Sequence, residues 1–232
     1  MDLSQFFTTA DFIGIVPETI LTVTALSVLT LEMARVSRPW IILSVAVLGL
    51  LLSAAAAFIT SGNNQILFGG MLKLNQISLF FDMLYISIGL ITLIFSQGYL
   101  EKRGSKSRGE YPALILFAVI GMMLMTRAND LVIVFLGLEL LSISLYVLVG
   151  FLRHDNLSNE SGLKYLLLGA FATGFFLFGA AFTYGATGTT NYDGILLAIA
   201  NDNILSKIYL VLGIGLLRSE ERRVGKECRS RW

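Results

Sequence analysis

Six long apolar segments constrain the fold of this chain more than any other feature. Each is close to the roughly 20 residues that a helix needs to cross a bilayer. They cover residues 12–31, 40–59, 77–95, 111–125, 131–151 and 162–184. Only 14% of the chain is charged, against about 25% in soluble globular proteins. The sequence therefore predicts an all-α integral membrane protein, a polytopic helical bundle with six complete transmembrane helices.

A seventh apolar run, residues 204–217, is too short to span. Its 14 residues would extend about 21 Å as a helix, less than the ~30 Å of the hydrocarbon core. The following residues 218–232, RSEERRVGKECRSRW, resemble the translated read of a sequencing adapter. We expect residues 1–217 to form a membrane domain with a truncated seventh helix, and residues 218–232 to be a non-native tail. A genuine basic tail that binds anionic lipid headgroups is the alternative.

The sequence gives little support for soluble redox or nucleotide chemistry. Cys228 is the only cysteine, so it cannot form a disulfide framework or hold an iron–sulfur cluster by itself. His154, the only histidine, lies between two apolar segments, where a solvated loop residue is favoured over a metal ligand. Neither a glycine-rich phosphate loop nor an HExxH or CxxC motif is present. We therefore expect no metal, no cofactor and no nucleic-acid partner for this chain.

The basic residues between the segments predict the orientation in the membrane. The first, third and fifth connections hold seven of them and the second, fourth and sixth hold three. The richer set is Arg35, Arg38, Lys102, Arg103, Lys106, Arg108 and Arg153, and the poorer set is Lys73, Arg127 and Lys207. Because basic loops stay in the cytoplasm, the N-terminus is predicted outside and the long third connection in the cytoplasm.

Glu139 is the first candidate for function, because it lies near the middle of the fifth segment. An ionisable group at that depth costs several kcal/mol and usually handles ions or protons. At 3.6 residues per turn, Phe135, Glu139, Ser142 and Tyr146 share one side of the helix. This polar stripe predicts a proton relay at Glu139, with Ser142 and Tyr146 beside it. A carboxylate held in a structural hydrogen bond between helices is the alternative.

Two charged residues near helix starts are further candidates. Lys164 opens the sixth segment, where it either snorkels in an i, i+4 pair with Glu160 or is buried as a relay partner. Glu110 precedes the fourth segment, where a carboxylate also complements the helix dipole. From spacing alone, neither residue is specific for a function.

Other polar residues have structural interpretations. Arg127 is expected to reach the interface by snorkelling, since the fourth segment is short. Asp82 either snorkels or lines a cavity, and Pro17 with Glu18 suggests a kink in the first segment. The Asn-Asp pair at residues 129–130 is predicted to cap the fifth helix.

Two stretches, residues 99–153 and 160–189, resemble a known family. Their blocks GLELLSISLYVL and LKYLLLGAF are similar to subunit N of bacterial NADH:quinone oxidoreductase (respiratory complex I), an antiporter-like membrane subunit. The resemblance implies the N-terminal part of a fold of about fourteen helices with inverted repeats. It also implies a proton-translocating subunit among other membrane-arm subunits in a lipid bilayer. NADH, FMN, iron–sulfur clusters and quinone would be bound by those partner subunits, and no redox centre by this chain.

The resemblance also assigns roles to single residues. Glu139 matches the family's fifth-helix glutamate, Lys164 the sixth-helix lysine and Glu110 the acidic residue before the fourth helix. The family's central lysine would come a few residues past Leu217, where the adapter-like tail stands. Two alternatives stay open: a subunit of a multisubunit cation/proton antiporter, and an inactive truncated fragment.

Overall fold

The computed structural model describes residues 9–34, 39–60, 65–102, 109–200 and 207–219. Helices dominate these ranges, with a single two-stranded antiparallel hairpin among the described residues. The helices are α1 Thr9–Gly14, α2 Val16–Met33, α3 Pro39–Thr60, α4 Gln76–Lys102, α5 Glu110–Arg127, α6 Leu131–Val149, α7 Asn156–Thr187, α8 Tyr192–Ala200 and α9 Lys207–Ser219. The strands are β1 Gln65–Leu67 and β2 Leu72–Leu74.

Six helices, α2 to α7, are long and apolar enough to cross a membrane. They coincide with the six predicted segments, so the all-α membrane fold is confirmed. The short seventh run is also helical, since α9 has 13 residues and reaches only about 20 Å. Residues 220–232 lie outside the described residues, and the non-native tail stays a prediction.

The first predicted span is broken near its start. α1 ends at Gly14, and Ile15 has φ −96° and ψ 5°, outside the helical range, before α2 begins at Val16. Pro17 occupies the first turn of α2, where its missing N–H would have no helical partner in any case. Because α1 ends there, the Gly14 carbonyl is available to a side chain from another helix.

Helix α5 lies at the centre of the first half of the bundle. It packs against α2, α4 and α6, while α3 packs against α2 and α4. Buried aliphatic side chains fill the space between α2, α3, α4 and α5, and they include Leu21, Val28, Ile42, Leu50, Leu93, Leu116, Val119 and Met123. The remaining helices are added in sequence, α7 against α6 and α9 against α7. This order leaves much of the surface of α6 and α7 exposed and apolar.

Two glycines allow the backbones of α5 and α6 to approach closely. A Cβ atom built on Gly121 of α5 would lie 2.7 Å from the Gly137 carbonyl oxygen and 2.8 Å from the Leu141 backbone nitrogen. Only residues without side chains allow two helix backbones to approach so closely. The crossing fixes the rotation of α6, because Gly137 must face α5.

One end of the bundle is covered by segments that the sequence did not predict. The hairpin turns through Phe68, Gly69 and Gly70, all with positive φ, and the Phe68 N–H donates to Asp11 Oδ1 at 2.7 Å. Leu72 forms a β-bridge with Ala128, so the second and fourth connections meet. Asp130 bridges to Asn191, which brings the sixth connection to the same end.

Of the two residues predicted to cap α6, only Asp130 does so with its side chain. Asp130 caps α6, since its carboxylate accepts from the Val132 N–H at 2.9 Å. Asn129 does not cap the helix with its side chain. It donates instead to the Gly70 carbonyl at 2.8 Å and to Asp193 Oδ2 at 3.0 Å.

Candidate functional site: a carboxylate at the edge of two helices

Glu139 lies in the middle of α6, nine residues after the capping Asp130. Its side chain is half-buried. Since Gly137 faces α5 and successive residues turn by about 100°, Glu139 points away from α5. The rotation set by the glycine contact therefore places this carboxylate on the side of α6 that α5 leaves open.

One flank of Glu139 faces α7. Phe135 stacks on Phe176 of α7 with ring centroids 6.3 Å apart. Tyr146 meets Tyr165 of α7 edge to face at 5.2 Å. A Cβ atom on Gly169 would overlap the Tyr146 hydroxyl, so this glycine makes room for the ring. The predicted stripe thus points toward a neighbouring helix, with Ser142 half-buried in it.

The other flank of Glu139 is uncovered. Val132, Leu136, Ile143 and Val147 are each about half exposed, and their spacing places them on one face of α6. Glu139 lies between this apolar face and the α7 contact. Among the described residues its carboxylate makes no hydrogen bond or ion pair. A carboxylate held in a structural hydrogen bond between helices stays the alternative to a relay role for Glu139.

Lys164 lies on α7 as an exposed residue. Its side chain is 58% exposed and pairs with Glu160 one turn earlier, the arrangement that spacing alone allowed. The adjacent Tyr165 packs on Tyr146, so Lys164 lies about 10 Å along the axis of α6 from Glu139. Glu139 and Lys164 are therefore on neighbouring helices without a direct ion pair.

Glu110 is the first residue of α5, at the opposite end of the bundle from the hairpin. Its carboxylate lies 3.9 Å from the Arg153 guanidinium, whose side chain is 82% exposed. The two residues border a groove of about 300 Å³. Its walls are apolar side chains of α2, α5 and α6, including Leu29, Ala113, Phe117, Val147 and Phe151. Glu110 is thus separated from Glu139 by about half the length of α6.

The largest difference from the sequence prediction concerns Arg127. Its side chain is 3% exposed and does not snorkel to the interface. It lies between Glu18 of α2 and Asp82 of α4, whose side chains are 5% and 1% exposed. We call Glu18, Asp82 and Arg127 the buried triad. The expectation that Arg127 reaches water was wrong because two acids from other segments compensate its charge in the interior.

The triad is joined by short, charge-assisted bonds. Arg127 donates from Nε and Nη2 to Asp82 Oδ2, at 3.1 and 2.5 Å. Its Nη1 lies 2.7 Å from Glu18 Oε1 and 2.9 Å from Oε2. The same nitrogen donates to the Gly14 carbonyl at 3.0 Å, the group left free where α1 ends. A single guanidinium thereby connects α1, α2 and α4 to the last turn of α5.

A second ionic group holds the connections together at the surface. Lys73 Nζ of the hairpin lies 2.7 Å from Asp193 Oδ2 at the start of α8. Hydrogen bonds from Lys73 and then Asn129 hold the pKa of Asp193 below its usual value. This ion pair fastens the sixth connection to the second.

Metal ligation has no candidate within the described ranges. They contain no cluster of three or more histidine, cysteine, aspartate or glutamate side chains able to hold a metal ion.

Comparison with known proteins places this arrangement in a family. Residues 128–219, which include α6 to α9, match the family described as NADH:quinone oxidoreductase/Mrp antiporter, TM. NADH-quinone oxidoreductase subunit N 2 of Roseiflexus castenholzii is 45% identical over 183 residues, 78% of this chain and 36% of that protein. NADH-quinone oxidoreductase subunit N of Trichlorobacter lovleyi is 37% identical over 218 residues, 94% of this chain and 45% of that protein.

Two solved structures share the fold. A chain of respiratory complex I from Thermus thermophilus with bound aureothin aligns with a TM-score of 0.68 and 29% identity, covering 87% of this chain and 42% of that one. A chain of the membrane-bound sulfane sulfur reductase, an archaeal respiratory membrane complex, aligns with a TM-score of 0.75 and 23% identity, covering 88% and 43%. The second supports the fold alone.

These matches confirm the resemblance drawn from the sequence blocks. The chain spans less than half the length of the curated relatives it matches. It is a membrane-embedded, multi-pass protein that is similar to NADH-quinone oxidoreductase subunit N.

Proposed function

We propose that this chain is part of a proton-translocating membrane-arm subunit of an NADH:quinone oxidoreductase. Electron transfer from NADH to quinone would take place in partner subunits, which would bind the cofactors. Its partners would be the other membrane-arm subunits. The proposed location is the bacterial inner membrane, with the N-terminus in the periplasm.

The observation that carries the proposal is the position of Glu139. It is a half-buried acid in the middle of an apolar span, and no described side chain neutralises it. A structural acid at this depth would be paired, as Glu18 and Asp82 are. An acid that must gain and lose a proton is instead best placed where no fixed counter-charge holds it ionised.

In this mechanism Glu139 binds a proton and releases it when a cation approaches. Lys164 would be one such cation if it left Glu160, and Ser142 and Tyr146 would orient water in the intervening stripe. Glu110 has a secondary role at the end of the path. Moving one charge against 100 mV requires about 2.3 kcal/mol, and each pKa unit supplies about 1.4 kcal/mol. A pKa change of about two units in a relay group therefore supplies enough free energy to move one charge against 100 mV.

Replacing Glu139 with glutamine tests the assignment. We expect Glu139→Gln to reduce NADH-driven proton uptake by inverted membrane vesicles at least tenfold, because the amide cannot release a proton. Assembly of the complex on native gels should be unchanged. Ser142→Ala and Tyr146→Phe should reduce uptake only a few-fold, since they leave the carboxylate in place. Unchanged proton uptake in the Glu139 variant would show that this acid is structural.

A cation/proton antiporter subunit is the second candidate, because the matching family description includes Mrp antiporters. The same vesicles distinguish the two functions. Proton uptake on addition of NADH, without added Na⁺ or K⁺, supports the oxidoreductase. Proton movement that requires a cation gradient and ignores NADH supports the antiporter.

A further inference from the structure

The buried triad has an unequal count of charges. Two carboxyl groups, Glu18 and Asp82, face one guanidinium, Arg127, and all three side chains are at least 95% buried. If both acids were ionised, the triad would carry a net charge of −1 away from water. An uncompensated buried charge costs several kcal/mol even after relaxation.

Three of the four carboxyl oxygens are occupied by Arg127. Glu18 Oε1 and Oε2 both lie within 2.9 Å of Nη1, and Asp82 Oδ2 accepts from Nε and Nη2. The fourth oxygen, Asp82 Oδ1, is buried and has no hydrogen-bond partner among the described residues. A proton on any of the first three oxygens would displace a guanidinium N–H. A proton on Oδ1 displaces nothing.

We propose that the buried triad is a proton-binding site, with one proton resident on Asp82 Oδ1. Asp82 is then a neutral acid whose carbonyl oxygen Oδ2 accepts from Arg127, and Glu18 is the carboxylate that balances the guanidinium. The site as a whole is neutral. This proposal concerns α2, α4 and α5 and does not depend on the role of Glu139.

No other described charge completes the balance. On α1, the Asp11 carboxylate accepts from the Phe68 N–H, so it adds negative charge at the same end. On α4, Tyr85 hydrogen-bonds to Thr126 of α5 at 3.2 Å. On α3, Ser53 donates to the Pro17 carbonyl. The hairpin contributes apolar Leu67 and Leu74 beside Gly14, while its Lys73 pairs with Asp193 at the surface.

Infrared spectroscopy of the full chain in lipid nanodiscs tests the proposal directly. A protonated carboxyl group has a C=O band that is separate from carboxylate absorption and shifts in D₂O. Asp82→Asn and Glu18→Gln should each lose the intensity of one such group. In either variant the remaining acid must ionise to balance Arg127.

The opposite change is expected when the cation is removed. Arg127→Met should gain one protonated carboxyl, because Glu18 then has no counter-charge. Glu160→Gln is the matched control, since its carboxylate is exposed and paired with Lys164, and its protonated-carboxyl band should equal that of the wild type. Unchanged band intensity in both Asp82→Asn and Glu18→Gln would overturn the proposal. That result would mean that both acids are ionised and that Asp82 Oδ1 binds water or a cation.

Discussion

Replacing Arg127 with methionine removes the one cation of the buried triad while keeping a long, unbranched side chain. Four charge-assisted contacts to Glu18 and Asp82 are lost, together with the bond to the Gly14 carbonyl. With Asp82 already neutral, the variant must place one further proton on Glu18. Protonating an ordinary glutamic acid at pH 7 costs about 4 kcal/mol, because each unit between its reference pKa and the pH is worth about 1.4 kcal/mol.

The free energy of unfolding should therefore fall by about 4 kcal/mol at pH 7. This figure agrees with the ~3–5 kcal/mol usually lost when a buried ion pair is broken. The additional proton on Glu18 determines how the free-energy deficit of the variant changes with pH. The variant binds one more proton when folded, so its deficit should shrink to about 1 kcal/mol at pH 5.

The full chain can be unfolded by SDS titration from mixed micelles and followed by far-ultraviolet circular dichroism. This experiment measures the free-energy deficit of the variant at pH 7 and at pH 5. The double variant Glu18→Gln/Arg127→Met should show a deficit that no longer varies between pH 7 and pH 5. Arg153→Met is the control, because that arginine is 82% exposed and its loss should cost less than about 1 kcal/mol. A deficit below 1 kcal/mol for Arg127→Met at pH 7, or one that is unchanged at pH 5, would refute the reasoning.

Two further predictions concern helix packing and the surface ion pair. Gly121→Ala should lower the free energy of unfolding by about 1–3 kcal/mol in the same SDS titration, because its Cβ would meet the Gly137 backbone. Gly174→Ala is the control, because a Cβ there would meet nothing within 4 Å, and it should not lower the free energy of unfolding. Asp193→Asn should lower the melting temperature at neutral pH, and the difference should disappear as the pH falls through the depressed pKa of Asp193, because the wild type then loses the same charge. Lys73→Gln should reproduce that pH dependence, and a difference that does not shrink on acidification would contradict it.

The spans could be predicted from sequence because each depends on its own composition. A run of about 20 apolar residues crosses a bilayer as a helix whatever its neighbours are. The cap at Asp130 was also predictable, since it involves a residue only two positions away. The hairpin was missed, although Gly69 and Gly70 gave a turn signal between two apolar runs.

The buried triad could not be assembled from any single segment. Arg127 is 109 residues from Glu18 and 45 from Asp82, and hydropathy does not state which helices are neighbours. Considered alone, an arginine near a helix end is expected to reach water. The available signal was collective: two apolar segments each carried one acid, Glu18 and Asp82, and Arg127 lay two residues past the end of a third segment.

For Glu139 as well, some properties follow from the sequence of its own helix and others depend on how the helices pack. Its depth in α6 follows from the sequence, and so does the side it shares with Phe135 and Tyr146. Its half-buried state depends on the Gly121–Gly137 crossing, which rotates the carboxylate away from α5. The role of Lys164 could not be predicted from the sequence, because its spacing is compatible both with the exposed pair with Glu160 and with the proposed relay role.

The two sets of membrane acids therefore differ in what surrounds them. Glu18 and Asp82 are enclosed by helices that meet at Arg127, and removing either side chain breaks contacts to that guanidinium. Glu139 lies at the margin of α6, between the α7 contact and an uncovered apolar face. A change in its charge alters no bond among the described residues. Stability should therefore depend on the triad and proton transfer on Glu139, and substitutions at the two places should affect different measurements.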